Sequence, residues 1–218
     1  IVLFVGSIFS LFWIGGNIAR DFKIRSNKTA ALYLQPIESD TLLITQDFLE
    51  NNDTEGAEQV WINDDIDFRF LNSKEIAIQN MGLSITKSPD SLFHLEIERS
   101  AYGRNAEKAK TRTRSLTFNF KQEGNKLYLP KELRLSSDEP FRGQQIIVRL
   151  MVPEGKIFYL EGIHANSWSR RSYGFRRGRF SFETDNRYYY DEAEFYKMNT
   201  SGEGTPTRPS EEDKESWD

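Results

Sequence analysis

The sequence predicts a mostly β domain of short strands, arranged as a sandwich or a β-solenoid with one short helix and preceded by a transmembrane helix. Three observations carry this. Between residues 29 and 196 apolar and polar side chains alternate with a period of two. Turn residues interrupt that pattern at roughly the 8 to 12 residue spacing of all-β domains. Ile1 to Ala19 carry no charge at all.

The apolar run comes first. At about 1.5 Å per residue it reaches roughly 28 Å as a helix, close to the hydrocarbon thickness of a bilayer. Its hydrophobicity runs all the way round, and Trp13 lies near its charged end, where interfacial tryptophan is favoured. A signal peptide is the competing reading, but a basic leader and an initiating Met are missing and Asn17, Ile18, Ala19 make a poor cleavage site. The chain is therefore expected to be a fragment of a longer membrane protein. Residues 20–28 follow as a basic juxtamembrane linker, with Arg20, Lys23, Arg25 and Lys28 opposed only by Asp21. Such a cluster leans the body towards the cytoplasm, and a periplasmic body stays open because the other flank of the helix is not seen.

Residues 29–196 are the β domain. Ile66, Phe68 and Phe70 alternate with acids and Arg69; Phe93, Leu95 and Ile97 alternate with His94, Glu96 and Glu98. Leu116, Phe118 and Phe120 form a third such row, and Ile146, Val148, Leu150 and Val152 a fourth. Each predicts a strand with one buried face. Shorter strands are expected at 31–34, 41–45, 60–62, 75–78, 83–86, 126–129, 133–135, 157–160 and 180–183. Glu123-Gly124-Asn125, Pro153-Glu154-Gly155 and Ser88-Pro89-Asp90 supply turns. Asn105 is placed to cap a short helix through about Arg114, with Ala106, Ala109 and Thr113 against the sheet and the basic residues facing water. Residues 197–218 read as a disordered acidic tail; from Thr200 onward it holds Glu203, Glu211, Glu212, Asp213, Glu215 and Asp218 against Arg208 and Lys214.

Composition narrows the function. The 218 residues include no cysteine and two histidines, and the formal net charge is −4. Cysteine nucleophiles and disulfides are excluded, almost nothing is left to build a zinc, haem or iron–sulfur site, and no cofactor or metal is expected. His94, Glu96 and Glu98 share one strand face, but one histidine and two flexible carboxylates read as an exposed face rather than a metal site. His164 near Ser167 and Ser169 lacks the turn that exposes a nucleophile, so no catalytic residue is assigned. Tyr188, Tyr189 and Tyr190 read as core or edge packing, with a carbohydrate or peptide platform as the alternative.

One stretch stands out as a binding candidate. From His164 to Phe180 the chain holds Arg170, Arg171, Arg176, Arg177 and Arg179 and no acid, interleaved with Trp168, Tyr173 and Phe175. Guanidinium groups beside stacking rings grip anionic lipid, nucleic acid or acidic peptides. The competing reading is a loop neutralised by Asp185, Asp191, Glu192 and Glu194.

Three segments carry a resemblance. IARDFKIRSNKTAALYLQPIESDTLLIT, DSLFHLEIERSAYGRNAEKAKTRTRSLTFNFKQEGNKLYL and FRGQQIIVRLMVPEGKIFYLEG together resemble the C-terminal half of PspC-domain membrane proteins of Bacteroidetes, in which a toastrack-type β domain follows several membrane helices. They cover most of Arg20 to Gly162. The resemblance implies an inner-membrane protein whose β domain acts without catalysis as a scaffold or sensor in envelope-stress signalling, through protein partners and as a possible homo-oligomer. It supplies no active site.

Overall fold

The computed structural model describes residues 13–37, 39–45, 58–62, 66–78, 81–130, 132–161, 194–202 and 204–207. Residues 13–20 form helix α1. Among the described residues no helix is long and apolar enough to cross a membrane. The first twelve residues of the expected membrane helix lie outside them.

The chain leaves α1 through a turn and enters β1 (Ile24–Leu32), so the expected linker at 20–28 is largely strand. Its central residues Asn27, Lys28 and Thr29 are all exposed, as an edge strand permits, and that polar stretch hid it from a search for apolar alternation. β2 (Thr41–Thr45), β3 (Glu58–Ile62), β4 (Ile66–Phe70), β5 (Glu75–Ile78) and β6 (Met81–Lys87) follow. Then come β7 (His94–Gly103), α2 (Ala106–Ser115), β8 (Lys121–Glu123), β9 (Lys126–Tyr128), β10 (Leu133–Ser136), β11 (Gln145–Val152) and β12 (Ile157–Glu161). β13 (Glu194–Met198) and β14 (Gly204–Thr207) complete the described chain. They extend regular structure into the span expected to be a tail.

The strands form three open sheets. The first has the order β1-β7-β11-β6, with β1 antiparallel to β7 from Ile24↔Gly103 to Leu32↔Leu95, β11 antiparallel to β7 and parallel to β6. The second, β10-β5-β4-β3, is antiparallel throughout. The third, β14-β13-β12-β2-β9-β8, has a parallel centre of β12, β2 and β9. Parallel strands are covered on both faces. All five residues of β2 are buried accordingly, Leu42 and Ile44 completely.

One core joins the sheets. Ile146, Val148, Leu150 and Val152 of β11, Leu95 and Ile97 of β7, Leu127 of β9 and Phe158 of β12 are each at most 1% exposed, as the alternation predicts. Ile78, Leu133 and Leu135 bring the second sheet into the same cluster. Phe158 stacks on Tyr196 of β13 with ring centroids 5.4 Å apart, which fastens the C-terminal strands to it.

The row Leu116, Phe118, Phe120 is only half as expected. Leu116 and Phe118 are buried and Phe120 packs against the core, yet residues 116–120 join no sheet. Alternation reports which side chains are buried, not whether the backbone finds a ladder partner.

Helix α2 starts as the sequence requires. Asn105 is extended (φ −143°, ψ 170°) and its Oδ1 accepts a hydrogen bond from Lys108 N at 2.9 Å. Replacing it with alanine leaves that N–H without a partner, and Asn105→Ala is expected to lower stability by about 1 kcal/mol in equilibrium denaturation. Ala109 and Thr113 face the sheet as expected, but Ala106 is exposed and Arg112 is buried. That arginine leads to the most unusual local chemistry of the described residues.

Candidate functional site

Asp21 lies just past the C-terminal end of α1, where its N–H still donates to the Ile18 carbonyl at 3.0 Å. A carboxylate is unfavourable there, because the helix dipole already concentrates negative charge at that end. It is also 93% buried, being 7% exposed. Such a group persists only with cationic partners, and three arginines converge on it.

Arg142, in the loop between β10 and β11, donates from Nε to Asp21 Oδ2 at 3.0 Å. Arg112 of α2 places Nη2 3.6 Å from the same oxygen, and donates from Nη1 to the Tyr102 carbonyl at 2.9 Å. Arg104, between β7 and α2, brings Nε to 3.3 Å from Oδ1, an ion pair without hydrogen-bond geometry. Arg112 and Arg142 are buried to much the same degree as the carboxylate, whereas the Arg104 side chain is 65% exposed and adds little in high dielectric.

Burial pushes the Asp21 carboxyl up, but the Arg142 hydrogen bond and the charges of Arg112, Arg142 and Arg104 outweigh it and hold the group below the usual aspartate range. One carboxylate thus serves three guanidinium groups.

Aromatic rings close the site on its other side. The Arg142 guanidinium lies 5.5 Å over the Phe22 ring, Phe22 meets Tyr102 at 5.7 Å, and Arg25 covers Tyr102 at 5.9 Å while donating to Ser100 Oγ at 3.0 Å. Gly143 lets the Arg142 loop lie on Tyr102. Its φ is +62°, and a Cβ there would come within 2.9 Å of the ring. The cluster therefore joins α1, β1, β7, α2 and the β10–β11 loop at the point where the chain enters the domain.

The expected binding residues Trp168, Arg170, Arg171, Tyr173, Arg176, Arg177 and Arg179 lie outside the described residues, as do His164, Ser167, Ser169 and Tyr188 to Tyr190. His94, Glu96 and Glu98 do share the outer face of β7, but each is engaged. His94 Nε2 is 2.8 Å from Asp90, and Arg149 pairs with Glu96 at 3.1 Å and Glu98 at 3.7 Å. Among the described residues no three His, Cys, Asp or Glu side chains are placed to hold a metal ion. Arg104, Arg112 and Arg142 were not singled out from sequence, because they lie 83 to 121 positions from Asp21 along the chain. The available signal was Asp21 itself, a lone acid in a basic run.

Open sheets stacked about one core, entered through an arginine-locked helix end, define a rack-like β domain. The toast-rack domain found in some PspC proteins matches residues 68–202, more than half of the chain, and the chain belongs to that family. The match takes in the second and third resembling segments and runs on past Leu160 to β13, while the first segment, residues 18–45, lies outside it. No curated protein and no solved structure matches the chain.

Proposed function

We propose that this is a non-catalytic toast-rack domain that acts as a scaffold or sensor in envelope-stress signalling, held at a membrane through residues 1–19. Membership of the toast-rack family of PspC-type proteins supports the stress role. The observation that carries the sensing role is the Asp21 cluster. It locks the segment emerging from α1 to both β7 and α2, so a displacement of the helix loads the rack directly rather than through a slack linker. The nine-residue edge strand β1 lies beside this junction and offers a partner chain a place to add a strand.

Deletion and complementation test the reading. A host strain lacking the protein is complemented with the wild-type or the Asp21→Asn chain in its full-length context, and its envelope-stress transcripts are measured after membrane depolarisation. The response is expected to be blunted by deletion and restored by the wild type, but not by Asp21→Asn accumulated to the same level. An undiminished response in the deletion strain would contradict the stress role.

A further inference from the structure

Charge is distributed unevenly about the arginine-locked end. Residues 13–28 and 100–114 contain Arg20, Lys23, Arg25, Lys28, Arg104, Lys108, Lys110, Arg112 and Arg114, against only Asp21 and Glu107, in a chain whose net charge is −4. Asp21 is buried and consumed by its arginines. Arg20, Lys23, Arg25, Arg104 and Lys108 are exposed around it. The same end presents large apolar side chains to solvent: Trp13 is 74% exposed, Ile14 50%, Ile18 47% and Phe22 41%.

Cations beside exposed apolar and tryptophan side chains match the boundary between anionic headgroups and acyl chains, where each half finds its own environment. Nucleic acid fits less well. Phe22 already carries Arg142 on its ring and Tyr102 carries Arg25, and the exposed Trp13 stands among Ile14 and Ile18 on an apolar helix rather than in a row of stacking platforms.

We propose that the end of the domain formed by α1, the start of β1 and the start of α2 docks on the surface of an anionic phospholipid bilayer, with Arg20, Lys23 and Lys108 taking the headgroups. The proposal rests on the membrane-anchored reading only in bringing α1 to a bilayer. It holds the rack against the lipid instead of leaving it free on a tether, which makes the domain responsive to surface charge.

The test uses the full chain in lipid nanodiscs, either of phosphatidylcholine alone or with one third phosphatidylglycerol. The cysteine-free sequence allows a single Ala106→Cys, exposed in the first turn of α2, to carry a fluorophore, and headgroup-attached spin labels quench it. Quenching is expected to be strong with phosphatidylglycerol, weak without it, and to fall as salt shortens the Debye length. At about fivefold in occupancy per cation, Lys23→Glu with Lys108→Glu lowers docking by at least about 25-fold. Retention in both discs with equal quenching, or quenching that survives the charge reversals, overturns the docking surface while leaving the anchor in place. Exclusion from neutral discs with charge-dependent binding to anionic ones refutes the anchor and sustains the surface. A response to a single-stranded oligonucleotide with none to phosphatidylglycerol overturns the proposal in favour of nucleic acid.

Discussion

Gly103→Ala is expected to lower the melting temperature by about 10 °C. A Cβ at this position would lie 2.4 Å from Ala109 N, 2.9 Å from Ala109 Cα and 3.0 Å from Lys108 C. These are backbone atoms of α2, so no side-chain rotation relieves the contact. Either the end of β7 shifts away from Ile24, its partner in β1, or α2 lifts from the sheet and carries Arg112 away from Asp21. Overpacking of this kind costs about 3 kcal/mol, and each kcal/mol moves the melt of a domain this size by about 2–4 °C. Thermal unfolding of the full chain followed by far-UV circular dichroism measures it. Gly16→Ala, whose methyl meets nothing within 4 Å, is the control. A Gly103→Ala melt within about 2 °C of the wild type would show that the β7–α2 contact is looser than described.

Asp21→Asn is the second large effect, and it carries a pH signature. The amide keeps the shape but leaves Arg112 and Arg142 buried without a counter-charge, at a cost of about 2–3 kcal/mol near neutral pH. The sign follows from the depressed carboxyl pKa. A carboxylate held below its unfolded value contributes stability above that value, near 3.8, and loses it as the pH falls through the folded pKa. The gap between wild type and Asp21→Asn is therefore full at pH 6 to 7 and narrows as the pH falls below about 4. Denaturant unfolding across that range checks both the size and the direction. A gap that stayed constant down to pH 3 would mean that the carboxylate is not held ionised by its neighbours.

What the sequence made legible was the burial pattern, and what it hid was long-range pairing. Ile146 to Val152 and Leu95 to Ile97 announced their buried faces because strand geometry sends every second side chain inward. The first part of β1 escaped notice because this edge strand exposes Arg25, Asn27, Lys28 and Thr29, which reads as a basic linker. Leu116 to Phe120 misled in the opposite sense, with the right side chains buried but no ladder behind them. α2 was legible through Asn105 and Ala109, yet Arg112 was placed in water, since local amphipathicity carries no information about a carboxylate 91 positions away. The Asp21 cluster needed the fold for the same reason. Its arginines come from the β7–α2 connection, from α2 itself and from the β10–β11 loop, and meet only when β1, β7, α2 and the loop before β11 are assembled.

The most direct test of the Asp21 lock is a double-mutant cycle between Asp21→Asn and Arg142→Met, read as unfolding free energies of the full chain at neutral pH. Two groups sharing a buried, hydrogen-bonded ion pair do not contribute independently. The lock predicts a coupling of at least about 1 kcal/mol, so that the double variant is more stable than the sum of the single losses implies. Additive losses, with no coupling between the two positions, would contradict it, because the helix end and the β10–β11 loop would then be held to the rack separately.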